Sequence, residues 1–94
     1  MSISIDDFIK ICNNVNIIDI RNKVKYNNNH ILNARNIDKS DLILNPYKYL
    51  NKNTTYYIYC EKGLSSLRIC QILSNMGYKT ISIKGGYQEW LLRK

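Results

Sequence analysis

The stretch Y-Y-I-Y-C-E-K-G-L-S-S-L-R-I-C, residues 56 to 70, puts a thiol where β-forming residues give way to a helical pattern. In α/β sheets, ligands bind at the carboxyl ends of the strands, so Cys60 lies where such an architecture does its chemistry. The helix that begins near Ser65 aims its free N–H groups back at the loop, and its dipole adds about half a positive charge there. Successive loop amides, those of Glu61, Lys62, Gly63, Leu64 and Ser65, can form an anion-binding nest. Gly63 allows a positive φ and a close approach of backbone to a bound group. Lys62 adds a full charge. Each of these favours thiolate over thiol at Cys60. A thiolate in a cup of N–H donors can attack an electrophile and hold the anionic adduct without a base touching it. The competing role for Cys60 is that of a small buried residue at a strand end. The glycine-containing loop and the helix start that follow it weigh against that role.

Two chemistries use a thiolate in this position. Cysteine-dependent phosphatases follow the pattern C-x5-R, in which the arginine forks onto phosphate. Counted from Cys60, that place holds Ser66, and Arg68 comes two residues too late. The shorter loop suits a sulfur atom carried as a persulfide. Cys12 and Cys70 differ from Cys60. Each falls at helical spacing among apolar residues, and core packing is expected of both.

The elements that must position the thiol can be read from periodicity. Ser4 followed by Asp7 is a capping-box pattern, and Ile5, Phe8, Ile9 and Cys12 recur at helical spacing up to Asn13-Asn14. Residues 16–20 read as a buried strand, 22–29 as one or two polar helical turns, and 34–37 as a further short strand. Ser40 to Leu50 reads as helix, with a break or restart at Asn45-Pro46. Residues 55–60 are the clearest strand, β-branched or aromatic up to the thiol. Residues 66–76 read as a helix whose apolar face carries Leu67, Ile69, Cys70, Ile72, Leu73 and Met76, with Gly77 at its C′ position. Residues 79–83 read as a strand, and Gly85-Gly86 turn the chain into a last helix through Trp90 to Leu92. Strands that alternate with helices predict an α/β fold: a small, mostly parallel sheet flanked by helices on both faces.

Composition narrows the class. Ninety-four residues allow one domain, 1–94, and 45% apolar residues suffice for a packed core. No apolar run approaches the roughly 18 residues of a membrane helix, and the first residues lack a secretory pattern. Three cysteines, an odd number with no CxxC pair, argue against a disulfide framework or a zinc site, and His30 has no second imidazole to share a metal with. A cytoplasmic location is the expectation. The net charge of +7 comes from scattered Lys and Arg that form no stripe, so nucleic-acid binding is not favoured. The same positive surface attracts small anions. The 13 asparagines sit mainly between apolar segments as loop filler.

Four segments together resemble the single-domain rhodanese family of thiosulfate-type sulfurtransferases. I-I-D-I-R, 17 to 21, is similar to the family's strand ending in Asp-x-Arg. N-H-I-L-N-A-R-N-I, 29 to 37, resembles its Gly-His-Ile-Pro-Gly-Ala-x-x-Ile segment, with Asn29, Leu32 and Asn33 in place of Gly, Pro and Gly. Y-C-E-K-G-L-S-S, 59 to 66, resembles the active-site loop, with Ser65 where many members carry Arg. K-G-G-Y-Q-E-W, 84 to 90, resembles the closing G-G-x-x-x-W. The resemblance implies that Cys60 takes a sulfane sulfur from a small sulfur-containing anion such as thiosulfate, expelling sulfite. The persulfide then sits among the amides of Glu61 to Ser65 and passes its sulfur to a thiol acceptor, small molecule or protein. No metal or organic cofactor is implied. Ser66, Asp19 and Arg21 are expected to support the loop, although an ion pair of purely structural value fits Asp19 and Arg21 equally well. His30 is expected to be a structural hydrogen-bonding residue, and Tyr87 and Trp90 to cap the core. The alternatives are a persulfide or redox sensor and a partner-binding module without significant turnover.

Overall fold

Alternating side chains along two central strands divide the interior into two cores. The computed structural model describes residues 1–93. Five strands are present among them: β1 (Ser2–Ile3), β2 (Asn16–Asp19), β3 (Arg35–Asn36), β4 (Thr55–Tyr59) and β5 (Lys79–Ile83). Five helices connect or follow them: α1 (Ile5–Ile11), α2 (Lys23–Asn28), α3 (Lys39–Leu44), α4 (Leu64–Asn75) and α5 (Gly86–Arg93). The strands lie in the order β1-β5-β4-β2-β3, and every pairing is parallel. Ile18, Tyr56 and Ile58 face one way, against Leu42 of α3 and Ile69, Cys70 and Leu73 of α4. Ile17, Tyr57 and Tyr59 face the other way, against Ile5 and Phe8 of α1 and Tyr87 and Trp90 of α5. The expected α/β fold with helices on both faces is present.

This strand order positions the chemistry. From β2 the chain crosses to β3 on one side, and from β4 it crosses to β5 on the other. The loops that leave β2 and β4 therefore diverge, and a crevice opens between the two carboxyl ends. Asp19 and Tyr59 are register partners at that point, and Cys60 is the next residue.

Several details depart from periodicity. β1 is only two residues long and pairs with the edge of β5, which is too short for any alternation to be visible. α3 ends at Leu44 because Asn45 precedes Pro46, and a separate 3-10 turn covers Pro46–Lys48. α4 starts at Leu64, earlier than residue 66. Its buried face is Ser66, Ile69, Cys70 and Leu73, spaced i, i+3, i+4 and i+7, whereas Leu67 is 38% exposed and Met76 44%. A serine on the core side displaced the expected stripe. Cys12 lies in the 3-10 turn after α1 and is half-buried at the edge of the second core. Ser4 caps α1 as expected, accepting from the Asp7 N–H at 3.1 Å, and Gly77 ends α4 with φ of 96°.

Cys70 has no exposed surface. Burial pushes its thiol up from an ordinary value of 9.0 to about 11. The native protein then keeps a proton that the unfolded chain loses. This contribution to stability is complete below pH 9 and is lost as the pH rises from about 9 to about 11, at up to about 1.4 kcal/mol per unit. Denaturant unfolding across that range is expected to show a falling free energy, with a shallower fall in Cys70→Ala. An identical slope in the variant would place the alkaline loss elsewhere.

Candidate active site

The loop after β4 faces its amide groups inward because its carbonyls are held from outside. The Cys60 carbonyl accepts the Tyr87 N–H at 2.9 Å, and the Glu61 carbonyl accepts the Gln88 N–H at 3.0 Å. Both donors belong to the first turn of α5, where N–H groups have no partner within the helix. With those carbonyls engaged, the loop turns two amides toward the sulfur. Gly63 N–H donates to Cys60 Sγ at 3.1 Å and Ser66 N–H at 3.3 Å. The neutral thiol also donates to Ser66 Oγ at 3.5 Å. Ser66 Oγ in turn lies 2.8 Å from Ser82 Oγ of β5, which fixes the start of α4 to the sheet.

Glycine is required where these two backbones meet. A Cβ on Gly86 would lie 2.3 Å from the Cys60 carbonyl oxygen and 2.8 Å from Gly63 N, closer than any real contact. Gly63 has φ of 95°, and its Cβ would lie 2.7 Å from Gly85 N. The segment K-G-G-Y-Q-E-W is thus the backing of the thiol loop.

The other loop residues have distinct places. Glu61 is half-buried at the rim, whereas Lys62, Leu64 and Ser65 are exposed. Lys62 does not line the cavity above the thiol. The cations that do line it come from other elements: Arg21 after β2, Lys25 of α2 and Lys39 of α3. The cavity measures about 270 Å³, with Cys60 in its wall beside Ile20, Asn22, Asp38, Glu61 and Ser65. That is below the usual size of pockets for drug-sized molecules and suits a small ion.

Asp19 and Arg21 form a buried pair beneath this cavity. Asp19 is fully enclosed and Arg21 is 7% exposed. Arg21 Nη2 donates to Asp19 Oδ2 at 2.8 Å, Nε contacts both carboxylate oxygens at 3.0 and 3.2 Å, and the Arg21 N–H adds a bond of 2.8 Å. Tyr59 Oη donates to Asp19 Oδ2 at 2.6 Å. The remaining guanidinium donors reach Asn29 O at 2.6 Å and Glu61 Oε1 at 3.5 Å, and the Tyr87 ring lies 4.0 Å from the guanidinium carbon. Burial works against the Arg21 charge, yet the hydrogen bonds and charge of Asp19 outweigh it, so the guanidinium is held more firmly protonated. Burial, followed by the bond to Asp19, pushes the Tyr59 phenol upward. A buried ion pair is tolerable when its polar atoms are all met, and here they are. The pair ties β2 to the loop and to α5.

Two residues that pattern did not single out complete this knot. Asn36 donates through Nδ2 to the carbonyls of Asp19 and Arg21, each at 2.9 Å. Tyr87, expected to cap the core, also covers the guanidinium. His30 contacts Tyr26 O through Nδ1 at 2.8 Å and stacks on the Tyr26 ring at 3.8 Å. Trp90 packs against Phe8 edge-on. Among the described residues no group of three or more His, Cys, Asp or Glu is placed to hold a metal, and no helix is long and apolar enough to cross a membrane.

Comparison with known proteins agrees with this arrangement. The rhodanese-like domain matches residues 4–93. The putative sulfurtransferase YtwF of Bacillus subtilis is 30% identical over 74 residues, covering 79% of this chain and 71% of its own. The thiosulfate sulfurtransferase GlpE of Coxiella burnetii is 32% identical over 75 residues, covering 79% and 69%. The crystal structure of SSP1007 from Staphylococcus saprophyticus superposes with a TM-score of 0.87 at 29% identity, over 95% of this chain and 91% of that one. Because the rhodanese-like domain matches nearly its whole length, the chain belongs to the rhodanese-like domain family.

Proposed function

We propose that the protein is a sulfurtransferase that moves a sulfane sulfur from an anionic donor such as thiosulfate to a thiophilic acceptor through a persulfide on Cys60. The observation that carries this reading is the pair of N–H groups, Gly63 and Ser66, directed at Cys60 Sγ in the wall of a small cation-lined cavity. Sulfurtransferase relatives at about 30% identity support the reaction class.

In the first step the Cys60 thiolate attacks the outer sulfur of thiosulfate. An S–S bond forms at Cys60, the S–S bond of the donor breaks, and sulfite leaves with the electron pair. The negative charge then rests on the outer persulfide sulfur, where preorganised backbone donors are most effective in a site with little water. In the second step a nucleophile takes that sulfur and returns the electron pair to Cys60. Cyanide serves in an assay, and a thiol, of a small molecule or a protein, in the cell. Neither step needs a metal or an organic cofactor to balance. Asp19 and Arg21 act as positioning residues that hold β2 against the loop. A cytoplasmic location fits three free cysteines, because reducing conditions keep cysteines unpaired.

Mass spectrometry after thiosulfate treatment tests the proposal directly. One added sulfur on the peptide containing Cys60, released by cyanide as thiocyanate, is the expected result. Loading without turnover would point instead to a persulfide sensor.

Substitution separates the three cysteines. Cys60→Ser is expected to abolish thiosulfate:cyanide transfer, whereas Cys12→Ser and Cys70→Ser keep it. Cys70→Ser should lose stability, because a hydroxyl in a fully buried apolar site costs about 1–3 kcal/mol. Near-normal turnover by Cys60→Ser would rule out the mechanism.

Phosphatase activity is expected to be absent. A phosphoryl group in transfer needs its oxygens clamped, which Arg does with two parallel N–H bonds. Ser66 occupies that place and is fully buried. Arg68 lines a neighbouring groove, and Arg35 donates to Tyr49 O at 3.0 Å and does not line the cavity beside Cys60. Nitrophenyl phosphate and thiosulfate can be compared on one sample. Cys60-dependent phosphate hydrolysis faster than sulfur transfer would refute this account of the loop.

A further inference from the structure

The geometry points to Lys39 as the specificity-determining cation that holds an anionic sulfur donor beside Cys60, an inference that rests on the sulfur-transfer reading above. The loop itself offers little charge to such a donor. Ser65 is uncharged where the resemblance leads one to look for Arg, and Lys62 is not among the residues that line the cavity. The cavity is nevertheless lined by three cations, and two of them already have carboxylate partners. Arg21 is bonded to Asp19 and Glu61, and Lys25 Nζ lies 3.8 Å from Glu61 Oε1. The remaining acid in the lining, Asp38, turns its carboxylate to the N–H groups of Ser40 and Asp41 at 3.0 and 3.4 Å. Lys39 forms no ion pair among the described residues. Its position also matches the charge missing from the loop. Lys39 and Ser65 together line both the thiol cavity and the adjoining groove formed with Ile43, Arg68, Ile69 and Ile72. An exposed ammonium next to Ser65 therefore supplies from α3 the positive charge that position 65 does not.

A long, flexible ammonium binds an anion as a point charge, without the fixed fork of Arg. Lys39 should therefore discriminate by charge and only weakly by shape. Alkylation of Cys60 measures this without any sulfur transfer. Iodoacetate and iodoacetamide react alike, each losing iodide to the thiolate, but only iodoacetate is an anion. Rates are read at the Cys60 peptide by mass spectrometry, on the full chain. Lys39→Gln is expected to slow iodoacetate by about two- to fivefold, the scale of one exposed ionic contact, and to leave the iodoacetamide rate unchanged. Lys39→Arg should keep the iodoacetate rate. KM for thiosulfate should rise by a similar factor in Lys39→Gln while kcat holds. An unchanged iodoacetate-to-iodoacetamide ratio in Lys39→Gln overturns the inference, as does a loss that follows Arg68→Gln instead. A Lys39-dependent ratio in a protein that never turns over thiosulfate would defeat the sulfur-transfer reading and leave the anion contact standing.

Discussion

The backbone of Gly86 lies against the Cys60 peptide so closely that a Cβ at residue 86 would come within 2.3 Å of the Cys60 carbonyl oxygen. The rest of the candidate site depends on that contact. It lets the first turn of α5 donate to the carbonyls of Cys60 and Glu61. Once those carbonyls face outward, the following peptides turn their N–H groups toward the sulfur. Gly63, whose own Cβ would lie 2.7 Å from Gly85 N, takes a left-handed conformation as the N-cap of α4. Two helices thus meet one loop, α5 supporting it from behind and α4 beginning at its end. The preorganisation of the sulfur site is built from main-chain atoms whose positions the sheet enforces.

Charge is arranged around this loop by separate means. Placing Asp19 and Arg21 inside the protein incurs a desolvation penalty that their mutual attraction alone would scarcely offset. Additional partners make the pair sustainable: Tyr59, Asn29, Glu61 and the Tyr87 ring all contact it. In return the pair joins three elements that share no continuous secondary structure, the end of β2, the thiol loop and α5. Because Arg21 is already committed, the field in the cavity is set at the rim by Lys25 and Lys39 against Glu61 and Asp38. Fixed internal dipoles near the sulfur and adjustable cations at the mouth are a reasonable division between holding an adduct and admitting a donor.

The architecture and the position of Cys60 were legible from the chain. Uninterrupted β-formers up to residue 59, a glycine-containing loop and a helical period leave few other folds, and four ordered segments narrowed them to one family. The details that escaped have common physical causes. β1 is shorter than one period of alternation. Ser66 is polar yet belongs to the buried face of α4, because its hydroxyl finds Ser82 and its amide finds the thiol. That Lys62 would not line the cavity beside Cys60 was also not visible from its place in the loop.

The amino-acid sequence by itself determined which residue could be the nucleophile, where glycine had to stand and how strands and helices alternate. These follow from local chemistry: thiol reactivity, the freedom of positive φ and the periods of regular structure. Only the tertiary structure decided which amides reach the sulfur, that Arg21 is committed to Asp19, and that Lys25 and Lys39 line the same cavity as Cys60. Those facts depend on strand order, since β2 must lie beside β4, with α2 and α3 following it, before residues 20 to 40 positions apart can share one crevice. No local pattern encodes that meeting; the burial of both faces of the sheet imposes it.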